Sequence, residues 1–181
     1  MAHDEAYYEA EKKIEAAWRF GETELNLWGI GFTELPKSLL KLKDLRSLDL
    51  GHNKLASLPE WINQLTELQS LYIAVNNLIK LPDQICELPK LRLLNLMGNY
   101  LNALPDYLDR LKQLEVLDVS YNSRLIDLPS SLARLEHLKT LNLNGTSLNP
   151  ELFAAYNEGF DSAKRYLYAR TVEQVTLNEP N

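Results

Sequence analysis

Leucines return in a fixed register along most of this chain. The interval is 23 residues between successive members of the series Leu25, Leu48, Leu71, Leu94 and Leu117, and 24 residues from there to Leu141. Self-similarity at a fixed period of this length is typical of stacked-repeat architectures. The pattern therefore predicts one elongated domain built from similar units rather than an irregular globule.

The first half of each unit alternates leucine with a variable residue. Residues 45–55 read LRSLDLGHNKL, residues 68–78 read LQSLYIAVNNL, and residues 91–101 read LRLLNLMGNYL. A period of two predicts a strand with one buried face. Strands that recur in the same direction pair in parallel, so the chain must cross back over the core between them.

The second half of each unit predicts that crossover. It reads LPEWINQL, LPDQICEL, LPDYLDRL and LPSSLARL in successive units, and apolar residues such as Ile62, Leu65 and Leu68 follow at three-residue spacing. Such spacing predicts a short helical or 3₁₀ turn with one buried face. A proline stands where each turn should begin, at Pro36, Pro59, Pro82, Pro105 and Pro129. No unit can bury its leucines alone, so stacking must make one continuous core.

Each complete unit reads LxxLxLxxNxL followed by LPxxIxxLxxL. This pattern resembles the leucine-rich-repeat family in its short bacterial and Ras-binding-type form, and the resemblance covers roughly residues 22–149. The resemblance implies an α/β fold, a right-handed solenoid (horseshoe) with a parallel concave sheet. It also implies that a column of asparagines satisfies backbone groups inside the turn after each strand, at Asn53, Asn76, Asn99 and Asn122. One extra residue in the stretch 121–125 predicts a bulge after the fifth strand.

Both ends of such a stack need caps, because each end would expose the core. Residues 4–20 carry one apolar stripe, formed by Tyr7, Ala10, Ile14, Ala17 and Trp18, with Gly21 as a stop. We assign residues 1–21 to an N-terminal capping helix, with a separate partner-binding helix as the alternative.

A second apolar stripe predicts the C-terminal cap. Asn149 can cap a helix that starts at Pro150, and Gly159 is a place for that helix to bend or split. The predicted domains are thus about six repeats in 22–149, a C-terminal capping helix in 150–170 and a polar tail in 171–181.

Composition narrows the classes of partner. Hydrophobic residues make up 45% and charged residues 24% of the chain, and the net charge is −6. An acidic balance argues against nucleic acid and against a polybasic membrane anchor. Cys86 is the single cysteine, which fits a reducing compartment. Without a basic start or apolar run at the N-terminus, we expect a cytoplasmic protein, and secretion without a signal peptide stays open. The resemblance to the short bacterial repeats implies a bacterial source.

Catalytic motifs are absent from the sequence. It has no GxGxxG, Walker or GxSxG motif, and its histidines (His3, His52 and His137) lie far apart. Asp49 and Asp118 lie three repeats apart, or ~14 Å at ~4.8 Å per strand, too far for paired-carboxylate chemistry. We therefore predict no catalytic residues, no metal, no cofactor and no enzymatic activity.

In the family, the variable residues between the strand leucines point to the concave face and are free to contact a partner. The expected partner-binding residues are Trp28, Asp49, His52, Tyr72, Val75, Leu93, Asn95, Met97, Val116, Asp118 and Tyr121. Aromatic residues and Met at positions expected to be exposed are typical of interfaces. Two alternatives stay open: Leu93 and Val116 simply support the strand, and Trp28 packs on the N-terminal helix. Gly51 and Ala74 are expected to leave a shallow spot.

The functional hypothesis is a protein-protein interaction module that binds another protein, not nucleic acid or membrane, and acts as a monomer. Alternatives are a secreted effector, the recognition segment of a larger ligase or GTPase protein, and self-association. The basic residues of the convex side and lower edge are interpreted as solvated surface; they are Lys41, Lys43, Arg46, Lys90, Arg92, Arg110, Lys112, Arg134 and Lys139.

Overall fold

The computed structural model describes the backbone of residues 5–177 and the side chains of residues 5–170. Six short strands form one parallel sheet in chain order; they are β1 (Glu24–Asn26), β2 (Ser47–Asp49), β3 (Ser70–Tyr72), β4 (Leu93–Asn95), β5 (Val116–Asp118) and β6 (Thr140–Asn142). Leu48 pairs with Leu71 and Leu71 with Leu94, so the leucine period sets the strand register. The predicted parallel stack is confirmed.

The extra residue of the fifth unit lies outside the sheet. Leu117 of β5 still pairs with Leu141 of β6 although 24 residues separate them. The chain takes up the surplus in a turn, where the Leu125 N–H donates to the Asn122 carbonyl at 3.0 Å. A loop absorbs an insertion at little cost because no ladder hydrogen bond has to shift.

Short 3₁₀ helices return the chain on the side opposite the sheet. They span Lys37–Lys41, Glu60–Gln64, Asp83–Glu87, Leu108–Arg110 and Ser130–Arg134. Four of them begin directly after a proline, which lacks the N–H that a helix start leaves unpaired. The core fills the space between helices and sheet, and Leu48, Leu71 and Leu94 are completely buried there.

The asparagine column joins successive repeats from within. The Asn76 side-chain amide donates to the Leu50 carbonyl at 2.9 Å and to the Ile73 carbonyl at 3.3 Å, and its oxygen accepts the Leu55 N–H at 3.0 Å. Asn53 and Asn99 make equivalent bonds. These contacts satisfy buried backbone groups, as the resemblance implied.

The N-terminal helix α1 (Glu5–Phe20) packs on the first repeat. Ala10, Ile14 and Ala17 are buried in the common core, and the chain leaves the helix at Gly21 with φ 63°. Trp18 is not part of this buried stripe as the spacing predicted, since its side chain is 50% exposed. It lies beneath the Lys41 ammonium, which is 5.2 Å from the ring centroid.

Two helices, α2 (Pro150–Asn157) and α3 (Phe160–Leu177), close the other end. The Asn149 side-chain oxygen accepts the Leu152 N–H at 2.9 Å, and Gly159 at φ 126° separates the helices, as the sequence predicted. The backbone of α3 runs past residue 170, because its polar continuation contains no Gly or Pro to end it. The last residues of the predicted polar tail, 178–181, lie outside the described residues.

Candidate functional site

The outward residues of the six strands form one continuous surface, which we call the sheet face. In β2–β5 the central residue of each strand is buried and its two neighbours are partly exposed. The sheet face comprises three rows, Glu24/Ser47/Ser70/Leu93/Val116/Thr140, Asn26/Asp49/Tyr72/Asn95/Asp118/Asn142 and Trp28/Gly51/Ala74/Met97/Ser120/Asn144, followed by the residues after each strand end.

All eleven predicted partner-binding residues lie on or beside this face, but they differ in exposure. Tyr72, Leu93, Met97 and Val116, the expected centre, are only partly exposed. The larger exposed surfaces belong to Trp28 (55%) and Tyr121 (65%), at the carboxyl ends of the strands. The apolar surface available to a partner is therefore concentrated along that edge rather than at the middle of the sheet.

The middle row has a structural role that the sequence interpretation missed. The Asp49 carboxylate accepts the Gly51 N–H at 2.8 Å, and the Asn95 side chain accepts the Met97 N–H at 3.0 Å. Asp or Asn occupies this position in every strand except β3, and this recurrence in the sequence could have indicated the turn hydrogen bonds. Such Asx turns let the backbone leave the strand without an unpaired donor.

The two aspartates of this row are not equivalent. Asp118 also accepts the Ser120 hydroxyl at 2.6 Å and the Asn142 amide at 3.2 Å, so both of its carboxylate oxygens are engaged. Ser120 itself is fully buried, although the alternation placed it outward. Asp49 uses only Oδ1 in the described hydrogen bonds, which leaves Oδ2 on the sheet face. Of the two predicted acidic contacts, Asp49 is the better placed to meet a partner.

A column of left-handed residues follows the third row. Gly29, Gly98 and Gly145 fill it in three repeats, whereas His52, Val75 and Tyr121 fill it in the others, with φ between 53° and 55°. The N–H of this residue donates across the sheet, as in the 2.8 Å bond from Val75 to the Met97 carbonyl. The repeat architecture therefore imposes the conformation even where the residue is β-branched, which strains Val75.

Aromatic rings and these strained side chains together form what we call the carboxyl edge, defined as Trp28, His52, Val75, Tyr100 and Tyr121. The Trp28 and His52 ring centroids are 4.7 Å apart. Across the stack, the Arg124 guanidinium lies 5.5 Å from the Tyr100 ring centroid. The edge thus offers two groups of rings, Trp28 with His52 and Tyr100 with Tyr121, separated by Val75, and rings of this kind dominate binding energy at interfaces.

Trp28 packs against the second repeat, where its ring centroid lies 4.7 Å from that of His52. A Cβ placed on Gly51 would come 2.8 Å from the indole Cδ1. Gly51 is therefore small because Trp28 covers it, and the shallow spot expected beside Ala74 is occupied at its Gly51 end.

A groove of about 590 Å³ opens between α1 and the first three strands, and we call it the amino-terminal groove. Its lining combines carboxylates, one ammonium and a tyrosine ring, from Lys13, Ala16, Glu22, Glu24, Leu25, Asn26, Ser47, Asp49 and Tyr72. Glu22, Glu24 and Asp49 outnumber Lys13, so the groove is acidic.

Four basic residues of the repeats, Lys90, Arg92, Arg134 and Lys139, lie away from this groove and pair with acids of neighbouring repeats. Lys90 contacts Glu67 at 2.7 Å and Arg134 contacts Asp109 at 2.9 Å. Glu115 accepts hydrogen bonds from Lys139 and Arg92, and these hold the pKa of its carboxyl below the usual range. The cations form inter-repeat ladders on exposed edges, in agreement with a solvated surface.

The described residues contain neither a reactive thiol nor a metal-binding cluster. Burial raises the pKa of the Cys86 thiol to about 12, which suppresses the nucleophilic thiolate. Among residues 5–170, no group of three or more His, Cys, Asp or Glu side chains is placed to hold a metal ion. None of the helices in residues 5–177 has the length and apolarity that crossing a lipid bilayer demands.

Comparison with known proteins returns one sequence family. The profile described as "Leucine rich repeat" matches residues 23–78 and 89–148, which is more than half of the chain. None of the curated proteins matches this chain.

Solved structures give three informative matches. YopM from Yersinia enterocolitica is 29% identical with a TM-score of 0.64, and the match covers 78% of this chain and 29% of that one. The plant peptide hormone receptor RGFR1, in complex with RGF2, is 34% identical with a TM-score of 0.63 over 71% of this chain and 22% of the receptor. The repeat domain of the type III effector XopL is 32% identical with a TM-score of 0.60, over 67% and 46%. The chain spans less than half the length of each.

Proposed function

Because this chain belongs to the leucine-rich-repeat family, we propose that it is a protein-interaction module whose partner docks on the sheet face, with the carboxyl edge as the main contact. Binding without catalysis, in the bacterial cytoplasm, is part of this proposal.

The observation that carries the proposal is the presence of side chains in the left-handed column. Glycine adopts this conformation without strain, and Gly29, Gly98 and Gly145 do so in this chain. His52, Val75 and Tyr121 keep side chains at the same position at a cost of roughly 1–2 kcal/mol each. All three are exposed, so packing in the core does not repay that cost. Strain of this kind is typical of functional sites.

The exposed rings of the edge support the same interpretation. Trp28, Tyr100 and Tyr121 are each 48% exposed or more; Trp28 follows β1, and the two tyrosines follow β4 and β5. Trp and Tyr are enriched among residues that dominate interface energy. A rigid repeat array also loses little conformational entropy on docking.

The solved structures favour a peptide or protein as the partner. The plant receptor that matches this chain was solved in complex with RGF2, and its family fold is the one seen here. The match to XopL supports the second candidate, a role as an effector or as the recognition part of a larger protein.

Affinity capture with two variants tests the proposal. The edge variant changes Trp28, Tyr100 and Tyr121 to Ala, and the matched control changes Phe20, Tyr107 and Phe153, exposed aromatics outside the sheet face. Immobilised proteins are incubated with lysate of the native organism, and bound proteins are quantified by mass spectrometry. We expect a partner that wild type and control retain and that the edge variant loses by about tenfold or more.

A third variant with Tyr72, Leu93 and Met97 changed to Ala tests the central part of the sheet face. If this variant and the edge variant both fail to capture the partner, the contact extends from the carboxyl edge to the centre of the sheet face. Equal capture by wild type, edge variant and central variant would contradict docking on this face.

A further inference from the structure

We infer that the amino-terminal groove receives a basic segment of the protein partner, with an Arg or Lys side chain placed between Asp49, Glu24 and the Tyr72 ring. This inference rests on the proposed function and adds the chemistry of the partner. The occupant is a cationic, extended stretch of another protein.

Charge is the first reason. Among the eighteen outward positions of the three rows, all of them described, Glu24, Asp49 and Asp118 are acidic and none is Lys or Arg. With Glu22, the groove itself is lined by three carboxylates, those of Glu22, Glu24 and Asp49, and by one ammonium, that of Lys13. A surface of one sign attracts a segment of the opposite sign and disfavours like-charged competitors.

The second reason is the partnering of those carboxylates. Asp118, at the other end of the sheet, has both oxygens engaged by Ser120 and Asn142. Asp49 accepts the Gly51 N–H on Oδ1, and its Oδ2 accepts no hydrogen bond from the described residues. Of the two aspartates in the middle row, the one that lines the groove is therefore the one with a carboxylate oxygen available to a partner.

The third reason is shape and ring chemistry. Tyr72 replaces the Asp or Asn of the other strands at the middle-row position, and it lies in the groove beside Asp49, with which it is paired across the sheet. An aromatic face next to a carboxylate suits a guanidinium or ammonium, because the ring attracts the cation while the acid neutralises it. At about 590 Å³ the groove has room for a long basic side chain and the adjoining backbone.

The position of the basic residues of this chain argues in the same direction. Lys90, Arg92, Arg134 and Lys139 are held by acids on other edges of the repeats. They are not available to fill the groove of the same molecule. Lys13 is the one cation among the residues that line the groove, where it faces three carboxylates, so a basic segment of the partner would balance the remaining negative charge.

The test uses the full chain and three fluorescein-labelled peptides of alternating sequence, Arg-Ser, Gln-Ser and Glu-Ser. Binding is measured by fluorescence anisotropy. We expect the Arg-Ser peptide alone to bind, and its affinity to fall as NaCl is raised from about 50 mM to about 300 mM. Binding of the Glu-Ser or Gln-Ser peptide with similar affinity, or no binding of the Arg-Ser peptide, would overturn the inference.

Charge-matched variants locate the binding. The groove variant combines Glu22→Gln, Glu24→Gln and Asp49→Asn, and Asn fits at position 49 because Asn95 makes the same turn bond. We expect about tenfold weaker binding of the Arg-Ser peptide, from exposed ion pairs of ~0.5 kcal/mol each. The control variant, with Glu60→Gln, Asp83→Asn and Glu136→Gln, removes the same charge from exposed positions off the sheet face.

The control variant should weaken binding of the Arg-Ser peptide by less than about twofold. Equal weakening by both variants would show a general effect of net charge and would contradict the inference. Self-association that the groove variant abolishes, seen by light scattering, would assign the groove to a second copy and also overturn it. The lysate capture separates the two proposals. If wild type does not bind the Arg-Ser peptide but still captures a partner through the carboxyl edge, the inference about a basic segment is wrong and the proposed function stands.

Discussion

Asp127 and Arg170 form a bidentate ion pair, with Nη1 and Nη2 of the guanidinium each 2.7 Å from one carboxylate oxygen. The pair ties α3 to the loop of the fifth repeat. Hydrogen bonds from Arg170 hold the pKa of the Asp127 carboxyl below its usual range, burial opposes this shift, and the Leu128 N–H adds to it. The C-terminal cap is thus fastened by charge as well as by its buried Leu152 and Leu167.

The Asp127–Arg170 pair should make the stability of the cap depend on pH. Folding lowers the pKa of Asp127, so the stabilisation is complete above the unfolded-state pKa of about 3.9 and is lost as pH falls through the lower folded-state pKa. With the side chains 39% and 32% exposed, solvent screening limits the contribution to about 1 kcal/mol. Asp127→Asn should lower the free energy of unfolding by that amount at pH 7.

Urea denaturation at pH 7 and near pH 3 checks this pH dependence. The difference between wild type and Asp127→Asn should shrink at the lower pH. Asp83→Asn, on an exposed 3₁₀ helix, is the control and should show no such difference. A gap between wild type and Asp127→Asn that does not change with pH would refute the assignment.

Asn76→Ala should destabilise the whole array. The change leaves the buried Leu55 N–H without its acceptor, whereas the Leu50 and Ile73 carbonyls lose one bond each and keep those donated by Asn53 and Asn99. One buried donor left unpaired and two carbonyls that lose a bond predict a loss of about 2 kcal/mol in the free energy of unfolding. The neighbouring exposed Asn77→Ala is the control, expected within about 0.5 kcal/mol of wild type in equilibrium urea denaturation.

Val75→Gly should stabilise the fold while weakening partner binding. Val75 has φ 54°, a conformation that Gly adopts freely, so we expect a gain of about 1 kcal/mol in the free energy of unfolding. The reciprocal Gly98→Val (φ 68°) should cost a similar amount, since its Cβ would meet only ordinary contacts at 3.5 Å or more. Thermal denaturation measures both. A Val75→Gly variant less stable than wild type would show that the valine contributes packing instead.

Cys86 should be unreactive until its repeat opens. Burial raises its thiol pKa to about 12, so little thiolate forms at pH 8. Ellman's reagent should react with wild type only on addition of denaturant, while an added surface thiol from Ser57→Cys reacts at once. Rapid labelling of the native wild-type thiol would contradict the burial.

The repeating pattern of the sequence determined the larger architecture. Leu48, Leu71 and Leu94 pair across the sheet in the register that their spacing predicted, and the family assignment is confirmed by the sequence profile. The Asn76 bonds followed from the resemblance. Such features are readable because period and register are local properties that repeat themselves along the chain. The partner-binding role of the eleven residues stays a prediction.

The tertiary structure decided which of those residues are exposed and have polar atoms available to a partner. The sequence could not show that Asp118 is engaged on both oxygens, that Val75 is strained, or that Trp28 covers Gly51. It also could not show the groove between α1 and Asp49, because the distance between a capping helix and a strand depends on packing across many residues. The alternation of apolar and variable residues predicts which side of the sheet a residue faces. Its neighbours on that side come from other repeats and from the capping helix, so only the tertiary structure determines them.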